Sequence, residues 1–321
     1  YGVGGNALEK AGLELIYHIR DFSSWGISEV IGKIPFYFKA KDKILLEVDK
    51  RHTQTAILID FQDFNLRLAK RLKKRGINVL YYVAPQAWAW RPWRGKTLAK
   101  TIHTLFCILP FEKDWFSSRG VPRVMSVVHP IKKHFEDTVP KVQVKFFDDW
   151  KKNKEVHLLV LPGSRNLEVR QLLPEFVKTI NLLKRAFPIK SHLVTSSSVD
   201  EKYYEFYSDY FDFIWDSEKI DRPLNHCHVS MAASGTVNLS LALFQIPTVV
   251  CYKASLLTEF VAKTLVGYKG PISLTNIVHN NLVFPELTQD HAQSSFIYSY
   301  LYRWLTDQEE YEKIMGKLVQ T

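Results

Sequence analysis

Three short segments of the sequence combine residue types that could carry out chemistry, and each of them follows a strand-like run. Asp60 closes the run Thr55–Asp60, and a carboxylate at the end of a strand can act as a general base on an alcohol. Asp63 is better interpreted as the cap of a helix that we predict to begin at Phe64. Asp60 is therefore the first candidate catalytic residue.

The other two segments favour binding of a phosphate group. In Leu161-Pro162-Gly163-Ser164-Arg165, the glycine allows close backbone approach, the serine could cap a helix and the arginine could clamp an anion. Taken alone, the tripeptide Gly163-Ser164-Arg165 is more typical of an ordinary capped turn with a surface arginine. Ser234-Gly235-Thr236 repeats the arrangement later in the chain. Two such turns in one domain predict a cradle for a diphosphate.

Tryptophans and cations are concentrated between Ala87 and Lys96, where the functional interpretation stays open. This segment contains Trp88, Trp90 and Trp93 among three cations. It could stack nucleic-acid bases, lie at a membrane interface or pack inside the domain. His129, which follows the run Val124–Val128, could place an imidazole in a cleft, although a single histidine is more often structural.

An apolar stripe with helical spacing lies near the beginning of the chain. We expect Pro35 to end or kink this helix. Such stripes usually face a core, but the flanking aromatics and lysines raise the alternative of an interfacial element that contacts acyl chains and anionic headgroups. The candidate membrane residues are Trp25, Ile27, Val30, Ile31, Ile34 and Phe38.

The alternation of strand-like and helix-like segments predicts how these residues are positioned. The alternation occurs twice, which indicates two successive parallel α/β domains, 1–150 and 151–321, with a boundary in the polar stretch Thr138–Lys154. Ligands of such sheets bind beyond the carboxyl ends of the strands. We therefore expect a cleft between the domains, with chemistry at Asp60 and at the loops after Leu161 and Ala232.

Composition narrows the class of protein. The 321 residues are 46% hydrophobic and 13% aromatic, which is typical of a globular protein, and we find no apolar run of membrane-spanning length. Three scattered cysteines favour neither a disulfide framework nor a zinc site, and they indicate a reducing, cytoplasmic setting. A net charge of +10 favours an anionic partner, whether nucleic acid, lipid or phosphorylated substrate, but an evenly basic soluble surface explains it as well.

Several longer strings occur together in an order and spacing that resemble the lipid-A-disaccharide synthase family. The resemblance extends from about Gly2 to the segment around Asn276. The strings are Asp60-Phe61-Gln62-Asp63-Phe64-Asn65, Tyr82-Val83-Ala84-Pro85-Gln86-Ala87-Trp88-Ala89-Trp90-Arg91, Leu109-Pro110-Phe111-Glu112, His129-Pro130, Leu161-Pro162-Gly163-Ser164-Arg165-Asn166-Leu167-Glu168-Val169 and Ser234-Gly235-Thr236.

The resemblance implies two Rossmann-like domains facing a cleft, the GT-B glycosyltransferase fold. It implies an inverting enzyme that joins UDP-2,3-diacylglucosamine to 2,3-diacylglucosamine 1-phosphate through a β-1,6 linkage. Such an enzyme needs no cofactor or metal, and it works in the cytoplasm, peripherally on the anionic inner membrane. Nucleic acid is not an expected partner. The implied site comprises Asp60 and Arg165 as catalytic residues, and Gly163, Ser164, Glu168, Ser234, Gly235, Thr236, Asn276 and His129 as substrate contacts.

Three features depart from the family pattern. The opening Gly-Glu-x-Ser-Gly-Asp loop is expected to precede Tyr1, so the first domain is expected to be incomplete. Ser240 stands where the family usually has a glutamate for the nucleotide ribose, and Val128 replaces a glycine before His129. Two alternative functions are another GT-B enzyme that uses UDP-N-acetylglucosamine, such as a peptidoglycan transferase or epimerase, and a basic nucleic-acid-binding protein.

Overall fold

The computed structural model describes residues 1–22, 26–137, 146–253 and 270–321, and the side chains of 26–31 and 153 lie outside that description. The chain divides into two units, Tyr1–Val127 and Val128–Thr321. Each unit contains parallel strands joined by helices, as the alternation in the sequence predicts.

The first unit is built around a sheet of four parallel strands. These are β3 (Thr55–Ile59), β4 (Asn78–Tyr82), β5 (Thr104–Cys107) and β6 (Val124–Ser126), hydrogen-bonded in that order. The connecting helices are α3 (Gln62–Lys73), α4 (Arg94–Thr101) and α5 (Glu112–Ser117). A separate parallel pair, β1 (Gly2–Gly4) and β2 (Leu15–His18), is joined through α1 (Asn6–Lys10).

Strand β3, at the edge of this sheet, is less buried than its apolar sequence suggests. Leu58 is buried, but Ile57 and Ile59 are 65% and 53% exposed. Successive side chains of a strand point to opposite faces, and here only one face of β3 is covered. The strand that precedes Asp60 is therefore exposed on one face, although its sequence is largely apolar.

Helix α2 (Gly26–Lys50) does not end at Pro35, which lies inside it. Aromatic side chains fix the helix next to α3. The buried Phe22 ring lies 5.2 Å from Phe36 and 5.3 Å from Phe64, with nearly perpendicular planes that suit edge-to-face contact. Tyr37 also donates a hydrogen bond to the Phe22 carbonyl at 3.0 Å. These contacts set α2 and α3 side by side.

The second unit contains six parallel strands and nine α-helices within the described ranges. The strands are β7 (Val156–Leu161), β8 (Ile189–Thr195), β9 (Phe213–Asp216), β10 (Val229–Ala233), β11 (Thr248–Tyr252) and β12 (Glu286–Thr288). The helices are α6 (Pro130–His134), α7 (Asp149–Asn153), α8 (Asn166–Leu183), α9 (Lys202–Glu205), α10 (Asp221–His226), α11 (Val237–Leu243), α12 (Leu274–His279), α13 (Ser294–Thr306) and α14 (Gln308–Leu318).

The order of these strands is β12-β11-β10-β7-β8-β9, which is the order of a doubly wound nucleotide-binding sheet. The connections reverse direction between β7 and β10, which are paired with Leu161 opposite Ala232. The loops that follow these two strands therefore begin at the same edge of the sheet, although more than 60 residues separate them in sequence.

The boundary between the units falls at Val127, earlier than the predicted boundary at 150. Phe135 explains the difference, because its buried ring packs against Phe244 at a centroid distance of 5.1 Å. Trp150 likewise packs against Phe187 in the second unit. A polar composition predicted a linker here, but aromatic side chains join its described parts to the second unit.

Candidate active site

Asp60 lies in a strained turn directly after β3. Asp60 and Phe61 have φ angles of 44° and 41°, a left-handed conformation that costs non-glycine residues about 1–3 kcal/mol each. Two buried side chains hold the turn: Tyr81 donates to the Asp60 carbonyl at 2.6 Å, and Asn65 donates to the same oxygen at 2.8 Å. The backbone that carries Asp60 is thus fixed by its neighbours.

The Asp60 carboxylate combines access to solvent with partial desolvation. The residue is exposed and lines a cavity of about 1000 Å³, while the protein behind it buries part of the carboxylate. This burial raises the pKa of Asp60, against a smaller lowering by a hydrogen bond from the Phe61 amide. A carboxylate with a raised pKa is a better proton acceptor, which suits the predicted role of Asp60 as general base.

Asp63 has a different role from the one that the sequence suggests. Helix α3 begins at Gln62, and no side chain caps it. The Asp63 carboxylate instead pairs with Arg91 at 3.1 Å and with the buried Arg94 at 2.5 Å. The interpretation of Asp63 as a helix cap is therefore wrong; its ion pairs connect α3 to the tryptophan-rich segment.

The cavity beside Asp60 is a groove between α2 and α3. Its α2 wall contains Ile34, Tyr37, Phe38 and Lys41, so it is largely apolar. Its other wall contains Asp63 and cations of α3 together with Arg91. Apolar and cationic walls in one groove suit an amphiphilic anion.

The tryptophans of the segment between Ala87 and Lys96 have different environments. Trp88 donates to the buried Glu112 at 3.0 Å, and burial raises the pKa of that carboxyl against the lowering effect of its hydrogen bonds. Trp90 lines the cavity, with the Arg91 guanidinium 4.2 Å from its ring centroid. Trp93 is 61% exposed. Internal packing thus accounts for Trp88, whereas Trp90 lies beside Asp60.

In the second unit, the two predicted phosphate-binding turns lie together at the point where the sheet reverses direction. They line a cavity of about 350 Å³ along with residues that follow β8 and β9. The predicted site residues at this cavity are Gly163, Ser164, Arg165, Glu168, Ser234, Gly235 and Thr236. Tertiary structure therefore assembles seven of the predicted residues into one site.

Glu168 holds the first of these turns in place. Its carboxylate accepts hydrogen bonds from the Ser164 amide at 3.1 Å and from the Arg165 guanidinium at 2.5 Å. Gly163 has φ +118°, and a Cβ there would lie 2.5 Å from a Glu168 oxygen, so glycine is required. The N-cap position of α8 belongs to Arg165, which corrects the prediction that Ser164 caps this helix. Arg165 is 65% exposed and remains accessible to a ligand.

Two predicted substrate contacts lie elsewhere. Asn276 is fully buried, and its amide group bonds to Glu286 and to the backbone of Val283 and Phe284. His129 is also buried, caps α6 by accepting from the Ile131 amide at 3.1 Å and has a pKa lowered by burial. Neither residue lines either of these two cavities, and the side chain of each forms hydrogen bonds within the fold.

The predicted membrane stripe is only partly described. Trp25 lies outside the described residues, as do the side chains of Ile27, Val30 and Ile31. Ile34 and Phe38 are 43% and 49% exposed and line the groove, so these two do not belong to a core. Among the described residues, no helix has both the length and the apolarity to cross a membrane.

Sequence reasoning missed several residues of both cavities. In the second unit, Thr195, Ser196 and Ser217 line the cavity from the ends of β8 and β9. In the first, Arg67, Lys70, Arg71 and Lys74 line the groove along one face of α3. Their spacing of three and four residues was a signal in the sequence, but it gains meaning only once the groove is known.

Solved structures with the same fold include enzymes in complex with a nucleotide sugar or a nucleoside diphosphate. UDP-GlcNAc 2-epimerase from Neisseria meningitidis, bound to UDP-GlcNAc, aligns with a TM-score of 0.54 at 10% identity, covering 98% of this chain and 85% of that one. Spinosyn rhamnosyltransferase complexed with thymidine diphosphate aligns with a TM-score of 0.51 at 11% identity, covering 89% and 75%. The chain therefore has the GT-B fold, which is found in glycosyltransferases and in epimerases of nucleotide sugars.

Sequence similarity identifies the family within this class. Residues 1–320 match the family model described as lipid-A-disaccharide synthetase. The chain is 32% identical to the lipid-A-disaccharide synthase of Paramagnetospirillum magneticum, covering 96% of this chain and 80% of that protein. It is also 32% identical to the synthase of Myxococcus xanthus, covering 98% and 83%. The chain belongs to the lipid-A-disaccharide synthase family and is a hexosyltransferase.

Proposed function

We propose that the protein transfers diacylglucosamine from UDP-2,3-diacylglucosamine to 2,3-diacylglucosamine 1-phosphate, with inversion at the anomeric carbon. Membership in the synthase family supports this reaction. The observation that carries the assignment of the site is the Asp60 groove. In this groove the Asp60 carboxylate lies beside an apolar wall and a cationic wall, and the acceptor has a hydroxyl, acyl chains and a phosphate.

In this mechanism Asp60 activates the acceptor. Its carboxylate takes the proton from the 6-hydroxyl while the oxygen attacks the anomeric carbon of the donor. A carbon–oxygen bond forms on one face of that carbon, and the bond to the UDP oxygen breaks on the other face. The electron pair of the broken bond leaves with UDP. The pKa of Asp60, raised by burial, favours its acceptance of the proton.

The second unit would bind UDP and stabilise it as a leaving group. Arg165 and the amino end of the 18-residue helix α8 offer positive charge to the diphosphate. Gly163 permits close approach of the backbone, and the hydroxyls of Ser234 and Thr236 line the same cavity. Since charge on the diphosphate grows as the sugar bond breaks, these groups would act most strongly in the transition state.

We further infer that the protein works at the anionic cytoplasmic surface of the inner membrane, where both lipid substrates reside. The exposed Ile34 and Phe38 side chains support this location, because they extend the apolar wall of the groove to the surface. Lys33 and Lys39 lie nearby on the same helix and could meet anionic headgroups.

Matched substitutions of the two aspartates test the proposed mechanism. Asp60→Asn is expected to keep UDP binding and to abolish disaccharide formation, as measured by calorimetry and by thin-layer analysis of products. Asp63→Asn is expected to weaken transfer less, because Asp63 is held by Arg91 and Arg94. Loss of transfer in a folded Asp63→Asn protein, with near-normal turnover in Asp60→Asn, would assign the base to Asp63 instead.

The same assay tests the choice of donor. UDP-2,3-diacylglucosamine and UDP-N-acetylglucosamine are supplied in turn with the phosphorylated acceptor. We expect a disaccharide product only from the acylated donor. Turnover of UDP-N-acetylglucosamine alone, by epimerisation or by transfer, would overturn the proposed substrates while leaving the GT-B assignment intact.

A further inference from the structure

The α3 wall of the Asp60 groove contains four cations on one helical face. Arg67, Lys70 and Arg71 of α3 and the C-cap residue Lys74 occupy relative positions 0, 3, 4 and 7, so they are neighbours on the helix surface. All four are exposed, and all four line the groove. We refer to them as the α3 cation row.

The α3 cation row differs from Arg51 and Arg75 of this unit in its pairing with carboxylates. Within the described ranges, no salt bridge to a carboxylate is found for any of its four members. Arg75, just beyond them, forms a two-pronged pair with Asp49 at 2.8 and 3.1 Å, and Arg51 pairs with Glu14 and Glu47. Like charges at this spacing repel one another, so the row favours an anion that occupies the groove.

The position of the row along α3 determines how far the charge of that anion lies from the group that reacts at Asp60. At a rise of about 1.5 Å per residue, Arg67 and Arg71 lie about 7.5 and 13.5 Å along the axis from Gln62, where α3 begins. Helical side chains generally lean toward the amino end of their helix, which is the end of α3 that follows Asp60. A ligand that reaches both Asp60 and Arg67 needs its reacting group and its charge on opposite sides of a small unit such as a sugar ring, and Arg71 lies one helical turn farther along.

The facing wall indicates the rest of the ligand. Ile34, Tyr37 and Phe38 offer apolar surface opposite the cations, and the 1000 Å³ cavity has room for more than a phosphate ion. An anionic group with acyl chains attached satisfies both walls. A nucleic-acid backbone would leave the apolar wall unused.

We propose that the α3 cation row binds the phosphate monoester of the lipid acceptor, with Arg67 and Arg71 as its principal contacts. The inference rests on the proposed function and adds the residues that select a phosphorylated acceptor. Guanidinium groups bind phosphate oxygens through two parallel hydrogen bonds, and Lys70 and Lys74 add point charges. When the cation row holds the phosphate, the sugar ring presents its 6-hydroxyl to Asp60.

A pair of double variants tests the role of the row. R67Q/R71Q removes two charges from the groove, whereas K73Q/R75Q removes two charges from the same segment at positions that do not line it. Binding and transfer are measured with 2,3-diacylglucosamine 1-phosphate and with its dephosphorylated form. Neutral detergent micelles free of anionic lipid exclude headgroup effects, and melting temperatures check folding.

We expect R67Q/R71Q to weaken binding of the phosphorylated lipid, and to raise its KM, by at least about tenfold, because two charged hydrogen-bond donors to the phosphate are lost. Its affinity for the dephosphorylated lipid and its KM for the UDP-sugar should stay near wild type. K73Q/R75Q should retain the preference for the phosphorylated lipid.

Three outcomes would overturn the proposal. An equal loss for both lipids would show that the row does not recognise the phosphate. If R67Q/R71Q bound the phosphorylated lipid normally in micelles but no longer bound phosphatidylglycerol vesicles, the row would be assigned to membrane headgroups. An identical loss in K73Q/R75Q would indicate a general field effect. The binding measurement needs no turnover, so failure of the transfer reaction itself is detected separately.

Discussion

The phenolic oxygen of Tyr81 lies 2.6 Å from the backbone carbonyl oxygen of Asp60, and this hydrogen bond joins β4 to the strained turn after β3. Tyr81 is completely buried, and burial raises the pKa of its hydroxyl, so it stays protonated as a donor. The catalytic candidate is therefore positioned through its backbone by a residue that has no access to the groove.

We expect Tyr81→Phe to lower the free energy of unfolding by about 1 kcal/mol, the usual contribution of one hydrogen bond. Because the turn sets the direction of Asp60, kcat should fall more than the KM of either substrate rises. Tyr311→Phe, at a buried tyrosine of α14, is the control and should affect stability alone. Chemical denaturation and steady-state kinetics measure both effects, and an unaltered kcat in Tyr81→Phe would contradict a positioning role.

Gly163→Ala should disrupt the first phosphate-binding turn. The new methyl group would meet Glu168 at 2.5 Å in a left-handed backbone, at a cost of about 1–3 kcal/mol for strain alone. We expect a lower melting temperature and weaker UDP binding by calorimetry. Gly235→Ala is the matched control, since its Cβ would meet nothing within 4 Å and its melting temperature should be unchanged. Equal melting temperatures for both variants would remove the steric argument.

Substitution of Arg165 distinguishes leaving-group stabilisation from simple affinity. Arg165→Gln should reduce kcat by roughly a hundredfold, the usual effect of removing one preorganised donor, with a smaller rise in KM for the UDP-sugar. Arg165→Lys retains the charge without the two-pronged geometry and should recover part of the rate. Arg170→Gln, on an exposed position of the same helix, should behave like wild type. A raised KM at constant kcat would instead indicate uniform binding.

Membrane binding should depend on Ile34 and Phe38. Replacing both with serine is expected to reduce co-sedimentation with phosphatidylglycerol vesicles without lowering the melting temperature, because both side chains are substantially exposed. Leu46→Ser removes an even more exposed apolar side chain, 67% accessible, from the same helix outside the groove. This control should bind vesicles normally. A clear drop in melting temperature for the double variant would show that the stripe packs internally.

Stability should fall in mild acid because of His192. This imidazole is buried between His157, 2.8 Å away, and the Trp215 indole. Burial, followed by the neighbouring His157, lowers the pKa of His192 to about 4, from an ordinary value of 6.5. Between these values the unfolded chain binds a proton that the folded chain does not. The free energy of unfolding should therefore decrease as the pH falls from 6.5 toward 4, by at most about 1.4 kcal/mol per pH unit for this group.

His192→Gln removes this titration and keeps an amide for hydrogen bonding. Urea denaturation at pH 7, 6 and 5 should give a shallower loss of stability for this variant than for wild type. His291→Gln, at an exposed histidine, should keep the wild-type slope. Parallel slopes for His192→Gln and wild type would exclude His192 as the source of the acid sensitivity.

The sequence by itself determined the local elements and the family. The apolar runs Val156–Leu161 and Thr248–Tyr252 form strands, because each is long enough and apolar enough to fill a covered position in a parallel sheet. The strings around Asp60, Trp88 and Gly163 predicted a lipid-A-disaccharide synthase, which the family match confirms. These features depend on neighbouring residues or on side-chain identity alone.

Tertiary structure alone decided which side chains are available for chemistry. Asn276 and His129 look like ligand-binding residues in sequence, but both are buried and hydrogen-bonded within the fold. Asp63 pairs with arginines some 30 residues away instead of capping its own helix. The α3 cation row becomes a groove wall only because the aromatic ring of Phe22 fixes α2 beside α3. Local sequence specifies a residue's conformation and chemistry, whereas its partners and accessibility depend on contacts between segments that are distant along the chain.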